Sequence, residues 1–172
     1  MIVCFDLGGV LVRICRSWQE GCEAAQVPLR PFNETDEIRT KRSTLIANHQ
    51  MGKLPAQEYF KALSALHESI WSPEEIQRIH NAWVLGPYPE TSELINEIRQ
   101  AGHQTACLSN TNESHWLSLL EDTAISQLDH PHASHLIGLH KPDPHIWPAF
   151  EQLTECNAHD VVFFDDLLEN VQ

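Results

Sequence analysis

The chain has 172 residues, 42% of them hydrophobic, and a formal net charge of −13 at pH 7, which suits one domain with or without an insertion. Its eleven Lys and Arg residues are spread thinly, which excludes a nonspecific nucleic-acid partner, because such proteins cluster basic residues against phosphates. No apolar run approaches the roughly 20 residues of a membrane span, and no basic segment precedes the first apolar run, so we expect a cytoplasmic protein without a membrane partner.

The first predicted element is a buried strand, "IVCFD" (2–6), which ends in a single carboxylate, Asp6. The next residues are Leu7, Gly8 and Gly9, and a glycine pair allows a tight turn and close approach of the backbone to a ligand. The strand therefore presents Asp6 beside exposed backbone amides.

The segment between Arg13 and roughly Gly86 contains no comparable strand pattern. Four stretches in it show helical spacing of apolar residues, and one begins at Ser72-Pro73-Glu74-Glu75, a typical helix start. We expect an all-helical insertion between the first strand and the rest of the sheet.

The second half alternates apolar runs with helical patterns. Nearly continuous apolar runs are typical of strands covered on both faces, and strands alternating with helices predict a parallel sheet. The fold class is therefore predicted to be α/β. The predicted strands are "HQTACLSN" (103–110), "SHLIG" (134–138) and "DVVFFDD" (160–166), and the predicted helices are 89–102, 112–124 and 143–155.

Polar residues follow each of the four predicted strands. The carboxyl ends of parallel strands meet at one edge of a sheet, where ligands bind, so residues about a hundred positions apart are expected to converge there. Each motif alone is as well explained by a turn or a helix cap, but their common placement favours a site. The residues are Asp6, the run Ser109-Asn110-Thr111-Asn112, Lys141, and the pair Asp165-Asp166.

The residue types predict a metal ion and a phosphoryl group. Asp6, Asp165 and Asp166 would repel one another unless a cation such as Mg²⁺ neutralises them. The Ser109 hydroxyl, the Asn110 backbone N–H, the Lys141 charge and the amides around Gly8 suit a phosphoryl group. An aspartate can also attack phosphorus as a covalent nucleophile.

These motifs resemble those of the haloacid dehalogenase superfamily of hydrolases, in the same order and across essentially the whole chain. "FDLGGVLV" resembles its nucleophile motif, "LSNTNESH" its Ser/Thr motif, "GLHKPDPHIW" its Lys motif and "VVFFDDLLENV" its acidic metal motif. The helical insertion resembles the family's helical cap. The motif pattern is most similar to that of bacterial sugar-phosphate phosphatases.

The resemblance implies a Rossmann-like core, residues 1–14 and 88–172, and a helical cap, residues 15–87. It further implies a nucleophile, a phosphate site, an Mg²⁺ site and a cap segment (49–63) that leans over the active site. The implied residues are Asp6 as nucleophile; Ser109, Asn110, Lys141 and Gly8 for phosphate; Asp6, the Gly8 carbonyl and Asp165 or Asp166 for Mg²⁺; and His49, Gln50 and Lys53 as cap contacts with the substrate.

The sequence departs from the family pattern in two places. Most phosphatases of the family carry a second Asp two residues after the nucleophile as the general acid and base, and here that position is Gly8. Water, the substrate or His115 are the alternatives for protonating the leaving group. The chain also stops at Gln172, where the family usually continues; an incomplete sequence and a shorter fold are the alternatives, and with either we expect a sheet edge that is less covered.

The leading hypothesis is an Mg²⁺-dependent phosphatase that acts on a small phosphorylated metabolite, such as a sugar phosphate, through an aspartyl-phosphate. The first alternative is a metal-free 2-haloacid dehalogenase, which is compatible with Gly8, although the pair Asp165-Asp166 argues against it. The second is an inactive binding or regulatory protein on the same scaffold.

Overall fold

A computed structural model describes residues 1–171 as a parallel sheet flanked by helices. No helix within this range is long and apolar enough to cross a membrane. The strands are β1 (Ile2–Phe5), β2 (Val12–Ile14), β3 (Val84–Pro87), β4 (Gln104–Ser109), β5 (His130–Ala133) and β6 (Val161–Phe164). The helices are α1 (Trp18–Ala25), α2 (Asp36–Gln50), α3 (Ala56–Leu66), α4 (Pro73–Asn81), α5 (Thr91–Gln100), α6 (Glu113–Glu121), α7 (Thr123–Ser126), α8 (Ser134–Ile137) and α9 (Ile146–Thr154).

The main sheet has the strand order β5-β4-β1-β6, and every neighbouring pair is parallel. Its central strand β1 is buried along its whole length, as its continuous apolar run predicts. Val3 and Phe5 pack into a core with α5 and α6, whereas Ile2 and Cys4 pack on the opposite face with α9. The α/β fold class is confirmed.

β6 lies at one edge of this sheet, and its two faces differ in exposure. Val161 and Phe163 are partly buried in the core that contains α9, whereas the side chains of Val162 and Phe164 are 41% and 47% exposed. The expectation that this strand is covered on both faces is therefore wrong for the described residues.

The segment predicted to be an all-helical insertion contains four helices, α1 to α4, with a hydrophobic core of their own around Trp71, Phe60 and Leu63. The predicted capping box is present at the start of α4, where Ser72 and Glu75 bond each other's backbone N–H groups. Two strands that the sequence did not reveal, β2 and β3, pair antiparallel at the two ends of this segment. They are too short for a periodic pattern, and they become strands by pairing with each other.

The predicted strand at 134–138 is wrong. The third parallel strand is β5, "HPHA", and residues 134–137 form the short helix α8, which Gly138 ends with a φ of 79°. β5 lies at the other edge of the sheet and is only partly buried, so it lacks the apolar run of a central strand. The apolar residues of "SHLIGL" instead include Ile137 and Leu139, which pack against the core on the α9 side.

Candidate active site

Three carboxylates meet at the carboxyl ends of β1 and β6. The register aligns Phe5 with Phe164, and the Asp6 N–H donates to the Phe164 carbonyl at 2.8 Å, so the next residues of both strands leave the sheet side by side. Asp6, Asp165 and Asp166 each place one oxygen within 4.8 Å of the others. Negative charges at this spacing need cations near them.

Lys141 supplies one such cation. Its Nζ donates to Asp6 Oδ1 at 2.9 Å and to Asp165 Oδ2 at 2.6 Å, and it lies 4.9 Å from the ring centroid of Phe163. Only 1% of the Lys141 side chain is exposed, and none of that of Asp165. A buried ammonium group is stable here because two carboxylates share it.

The loop that carries Lys141 is held by Asn110. The Asn110 amide donates to the Lys141 carbonyl at 2.8 Å and accepts from the Lys141 N–H at 2.8 Å. Sequence analysis assigned to Asn110 only its backbone N–H and missed this role of its side chain. The loop begins after α8 rather than directly after a strand, yet it returns Lys141 to the strand ends.

Asp166 has a cation of its own, Arg16, whose guanidinium lies 2.8 Å from Asp166 Oδ2. Both side chains approach Gly9, which has a φ of 86°. A Cβ at that position would lie 2.5 Å from Asp166 Oδ2 and would also collide with Arg16. The second glycine of the turn therefore allows a close approach of these two side chains, whereas the sequence predicted an approach of the backbone to a ligand.

The donor set fits a magnesium ion, which prefers hard oxygen ligands. Asp165 Oδ1 accepts from the Leu167 N–H and from the Asn170 amide, both at 2.9 Å, so this carboxylate is held in place. Asn170 Oδ1 is buried and has no partner among the described residues, which leaves a further oxygen donor beside the three carboxylates.

Burial raises the pKa of Asp6, and the neighbouring Lys141 acts against this shift. The charged form of Asp6 is thus maintained by a cation rather than by water. Removal of positive charge from its surroundings would favour the protonated form, which cannot act as a nucleophile.

One cavity of about 690 Å³ joins this cluster to the helical segment. Its walls include α1, α2, α3 and α4, together with the strand ends. The predicted site residues that line it are Asp6, Gly8, His49, Gln50, Ser109, Asn110, Lys141 and Asp166.

Of the predicted cap contacts, two line the cavity and one does not. His49 Nδ1 lies 2.8 Å from the Leu54 carbonyl, so Nδ1 carries the proton and Nε2 is left as an acceptor. Gln50 donates to the Asn110 carbonyl at 3.1 Å and so joins α2 to the strand ends. The Lys53 side chain is exposed, and its Nζ lies 3.3 Å from Met51 Sδ, outside the cavity wall.

His115, one alternative for protonating the leaving group, is engaged at both ring nitrogens. Nε2 lies 2.7 Å from the His80 carbonyl, and Nδ1 lies 3.2 Å from the Asn112 amide. The ring stacks on His80 with centroids 4.0 Å apart. Burial lowers the pKa of His115, and it lowers that of His80 to about 2, so both rings are neutral at pH 7.

Comparisons with known proteins agree with this fold. The family model described as a hydrolase, haloacid dehalogenase-like hydrolase, matches residues 1–172. The HAD family enzyme bt-2542 of Bacteroides thetaiotaomicron, solved with magnesium and inorganic phosphate, is 19% identical, with 98% of this chain and 86% of that chain covered and a TM-score of 0.77.

Two further solved structures are similar to this chain. A HAD-like family hydrolase from Porphyromonas gingivalis is 20% identical, with 99% and 83% of the two chains covered and a TM-score of 0.74. The L-2-haloacid dehalogenase PA0810 is 23% identical, with 94% and 74% covered and a TM-score of 0.63. At these identities the likeness concerns the fold.

Proposed function

The chain belongs to the haloacid dehalogenase-like hydrolases, and from this premise we propose that it is an Mg²⁺-dependent phosphomonoesterase. One observation carries the proposal: Asp6, Asp165 and Asp166 lie within 4.8 Å of one another, and Lys141 bridges the first two. This arrangement supplies an anionic nucleophile, oxygen ligands for a divalent cation and a fixed positive charge in one place.

In this proposal Asp6 is the nucleophile. One Asp6 carboxylate oxygen attacks phosphorus, the bond from phosphorus to the ester oxygen breaks, and the electron pair of that bond leaves with the alcohol oxygen. A water oxygen then attacks phosphorus in the aspartyl-phosphate, and the electron pair of the broken bond returns to Asp6. Over the whole reaction, the leaving alkoxide oxygen gains one proton and the attacking water loses one, so the products are the alcohol and hydrogen phosphate.

Lys141, the Ser109 hydroxyl and the backbone amides at Asn110 and Gly8 hold the phosphoryl oxygens in this proposal. All four residues line the cavity that contains Asp6. Fixed donors of this kind stabilise charge that develops on phosphoryl oxygens without reorganising during the reaction.

Asp6, the Gly8 carbonyl and Asp165 or Asp166 would hold Mg²⁺. When bound, the ion would neutralise phosphoryl charge and act as a Lewis acid. The relative that was solved with magnesium and inorganic phosphate supports this choice of cofactor.

The four helices α1 to α4 form the cap in this proposal. They bound the cavity that contains Asp6, and Gln50 joins them to the strand ends. Exclusion of bulk water from this space would protect the aspartyl-phosphate and strengthen the electrostatic contacts within it. A small phosphorylated metabolite fits the cavity volume.

A 2-haloacid dehalogenase is the alternative to be tested. It would use Asp6 to displace halide from carbon without a metal, and it gains nothing from Asp165 and Asp166 beside its nucleophile. The proximity of the three carboxylates therefore favours the phosphatase.

The test is hydrolysis of p-nitrophenyl phosphate and acetyl phosphate by the wild type and by Asp6→Asn, with Mg²⁺ and with a chelator. We expect Mg²⁺-dependent phosphate release by the wild type and a loss of about a thousandfold or more in the variant, as expected when a nucleophile is removed. Chloride release from a 2-haloacid without Mg²⁺, with no phosphate release, would establish the dehalogenase instead. Absence of both activities in folded protein would support a binding protein.

A further inference from the structure

The helical segment contributes several aromatic and apolar side chains to the wall of the cavity. Trp18, Phe32, Tyr59 and Trp83 line it, together with aliphatic residues such as Ile79. The leaving group of a phosphate ester bound at Asp6 can extend into this space, since one cavity is lined both by the strand ends and by these side chains.

The aromatic wall is held in place by packing. The Trp83 ring lies against the backbone of α1 at Gly21, where a Cβ would approach the ring to 2.7 Å. The Trp18 ring packs near both Phe32 and Trp83, with centroid distances of 6.4 and 6.5 Å. These aromatic side chains, which we call the aromatic slot, are therefore held in place before a ligand enters, and their apolar surface suits an aromatic ring.

Few polar groups in this wall are open to a ligand. Glu34 and Arg42 form an ion pair with each other. Among the described residues, Trp18 Nε1 and His49 Nε2 have no partner, but both atoms are buried out of contact with solvent. A sugar carries several hydroxyl groups, and those that face the aromatic side chains would lose water without finding a partner.

Among the lining residues, His80, His115 and Tyr59 are poorly suited to protonating the leaving group, because a general acid works best with a pKa near the operating pH. The rings of His80 and His115 are neutral, the ring nitrogens of His115 are both engaged, and burial raises the pKa of Tyr59 to about 12. A leaving group that departs as a stable anion needs no such donor. A phenol ionises with a pKa of about 10, several pH units below the value of about 15.7 for water, which alkyl alcohols approach.

We infer that the site hydrolyses aryl phosphates, that is, phosphate monoesters of phenols, an inference that rests on the phosphatase function proposed above. Asp6 bonds to phosphorus as the bond between phosphorus and the phenolic oxygen breaks. The electron pair stays on the phenolate, which takes a proton from water. The aromatic slot binds the ring, and a proton donor is not required because the phenolate leaves unprotonated.

The experiment compares kcat/KM for phenyl, 2-naphthyl and benzyl phosphate and for glucose 6-phosphate, with acetyl phosphate as a substrate that has no ring. We expect both aryl esters to exceed benzyl phosphate and glucose 6-phosphate by about tenfold or more. Phenyl and benzyl phosphate both carry a ring, so this pair isolates the leaving-group effect. Because 2-naphthol and phenol ionise similarly, a lower KM for 2-naphthyl phosphate isolates the contribution of the slot.

A binding measurement avoids dependence on turnover. Calorimetry with Mg²⁺ should show that 2-naphthylmethylphosphonate binds at least about tenfold more tightly than methylphosphonate. Phe32→Ala should reduce this ratio, and Leu29→Ala, an exposed residue of the same loop, should not. Trp83→Phe, which shortens the wall but keeps a ring, is the second variant if Phe32→Ala fails to fold.

The inference is overturned if glucose 6-phosphate matches the aryl esters, or if benzyl phosphate matches phenyl phosphate. Equal binding of the two phosphonates would also overturn it. In each case, hydrolysis of acetyl phosphate would show that the phosphatase function survives, whereas failure of every substrate including acetyl phosphate would reject both proposals.

Discussion

Asn110 and Lys141 are joined by two hydrogen bonds of 2.8 Å, in which the side-chain amide of the first pairs with the backbone N–H and carbonyl of the second. The Asn110 side chain thus makes the two hydrogen bonds to the Lys141 backbone that a neighbouring strand would make. These bonds fix the backbone of the loop that carries Lys141, whose side chain reaches Asp6 and Asp165 from a distant part of the sequence.

Asn110→Ala should therefore impair catalysis through Lys141. Two neutral hydrogen bonds of about 0.5–1.5 kcal/mol each are lost, so we expect kcat/KM to fall by about fivefold to a hundredfold. The check is steady-state kinetics with p-nitrophenyl phosphate, with Asn96→Ala on the exposed face of α5 as the matched control. Equal activity of the two variants would show that the loop holds Lys141 without Asn110.

Gly9→Ala tests the close approach beside the nucleophile. Gly9 and Gly102 have similar positive φ values, 86° and 82°, but a Cβ at Gly102 would meet nothing within 4 Å. Gly102→Ala should cost about 1–2 kcal/mol of folding stability from backbone strain alone. Gly9→Ala should cost more and should also weaken Mg²⁺ binding, because the new methyl group displaces Asp166. Thermal denaturation and Mg²⁺ calorimetry measure the two effects, and unchanged Mg²⁺ affinity in Gly9→Ala would contradict the explanation.

Arg16 competes with a metal ion for Asp166. Its removal leaves one more uncompensated negative charge at the cluster, so Arg16→Ala should tighten Mg²⁺ binding. Exposed ion pairs contribute about 0.2–1 kcal/mol, which corresponds to a decrease in Kd of up to about fivefold, smaller at high salt. Arg13→Ala provides the control, because Arg13 is an exposed neighbour that bonds the Leu85 carbonyl instead. Weaker Mg²⁺ binding in Arg16→Ala would mean that Arg16 positions Asp166 rather than competing for it.

Asp6 should reduce folding stability at neutral pH. Because burial raises its pKa in the folded state, the folded protein holds this proton more strongly than the unfolded chain does. Stability therefore falls as pH rises from the ordinary aspartate pKa of about 3.9 through the folded-state pKa, by about 1.4 kcal/mol for each pH unit between these two pKa values. Asp6→Asn, in a chelator, should be more stable than the wild type at pH 7 and should lose this advantage below about pH 4. Urea denaturation at several pH values measures the difference in stability between the variant and the wild type, and a difference that does not change with pH would contradict the prediction.

Gln50 lines the cavity and Lys53 does not, so the two predicted cap contacts should differ in their effect on catalysis. Gln50→Ala removes the bond to the Asn110 carbonyl and one link between α2 and the strand ends, so we expect KM to rise by about two- to tenfold. Lys53→Ala should leave kcat and KM unchanged, because Lys53 lies outside the cavity wall. Kinetics of both variants with one substrate provide the comparison. A larger effect at Lys53 would show that the cap segment moves when substrate binds.

Local patterns in the sequence were sufficient to predict three of the four strands of the main sheet and most of the helices. The runs at 2–6 and 103–110 are apolar because β1 and β4 pack against the cores on the two faces of the sheet, whereas the run at 160–166 packs on one face only. The start of α4 is marked by its capping box. The prediction of a strand at 134–138 is wrong because the apolar residues there pack against the core from a short helix and a loop, while the edge strand β5 is partly polar. β2 and β3 carry no pattern, since each depends on a partner more than 60 positions away.

The sequence by itself also determined which residues gather at the strand ends, since parallel strands deliver whatever follows them to one edge of the sheet. It placed Asp6, Ser109, Asp165 and Asp166 there without knowledge of any contact. Only the tertiary structure decided that the Asn110 side chain holds Lys141, that Arg16 pairs with Asp166, and that Lys53 faces away from the cavity. The physical reason is that side-chain pairing and the shape of a cavity depend on packing between segments distant in sequence, which no local period encodes.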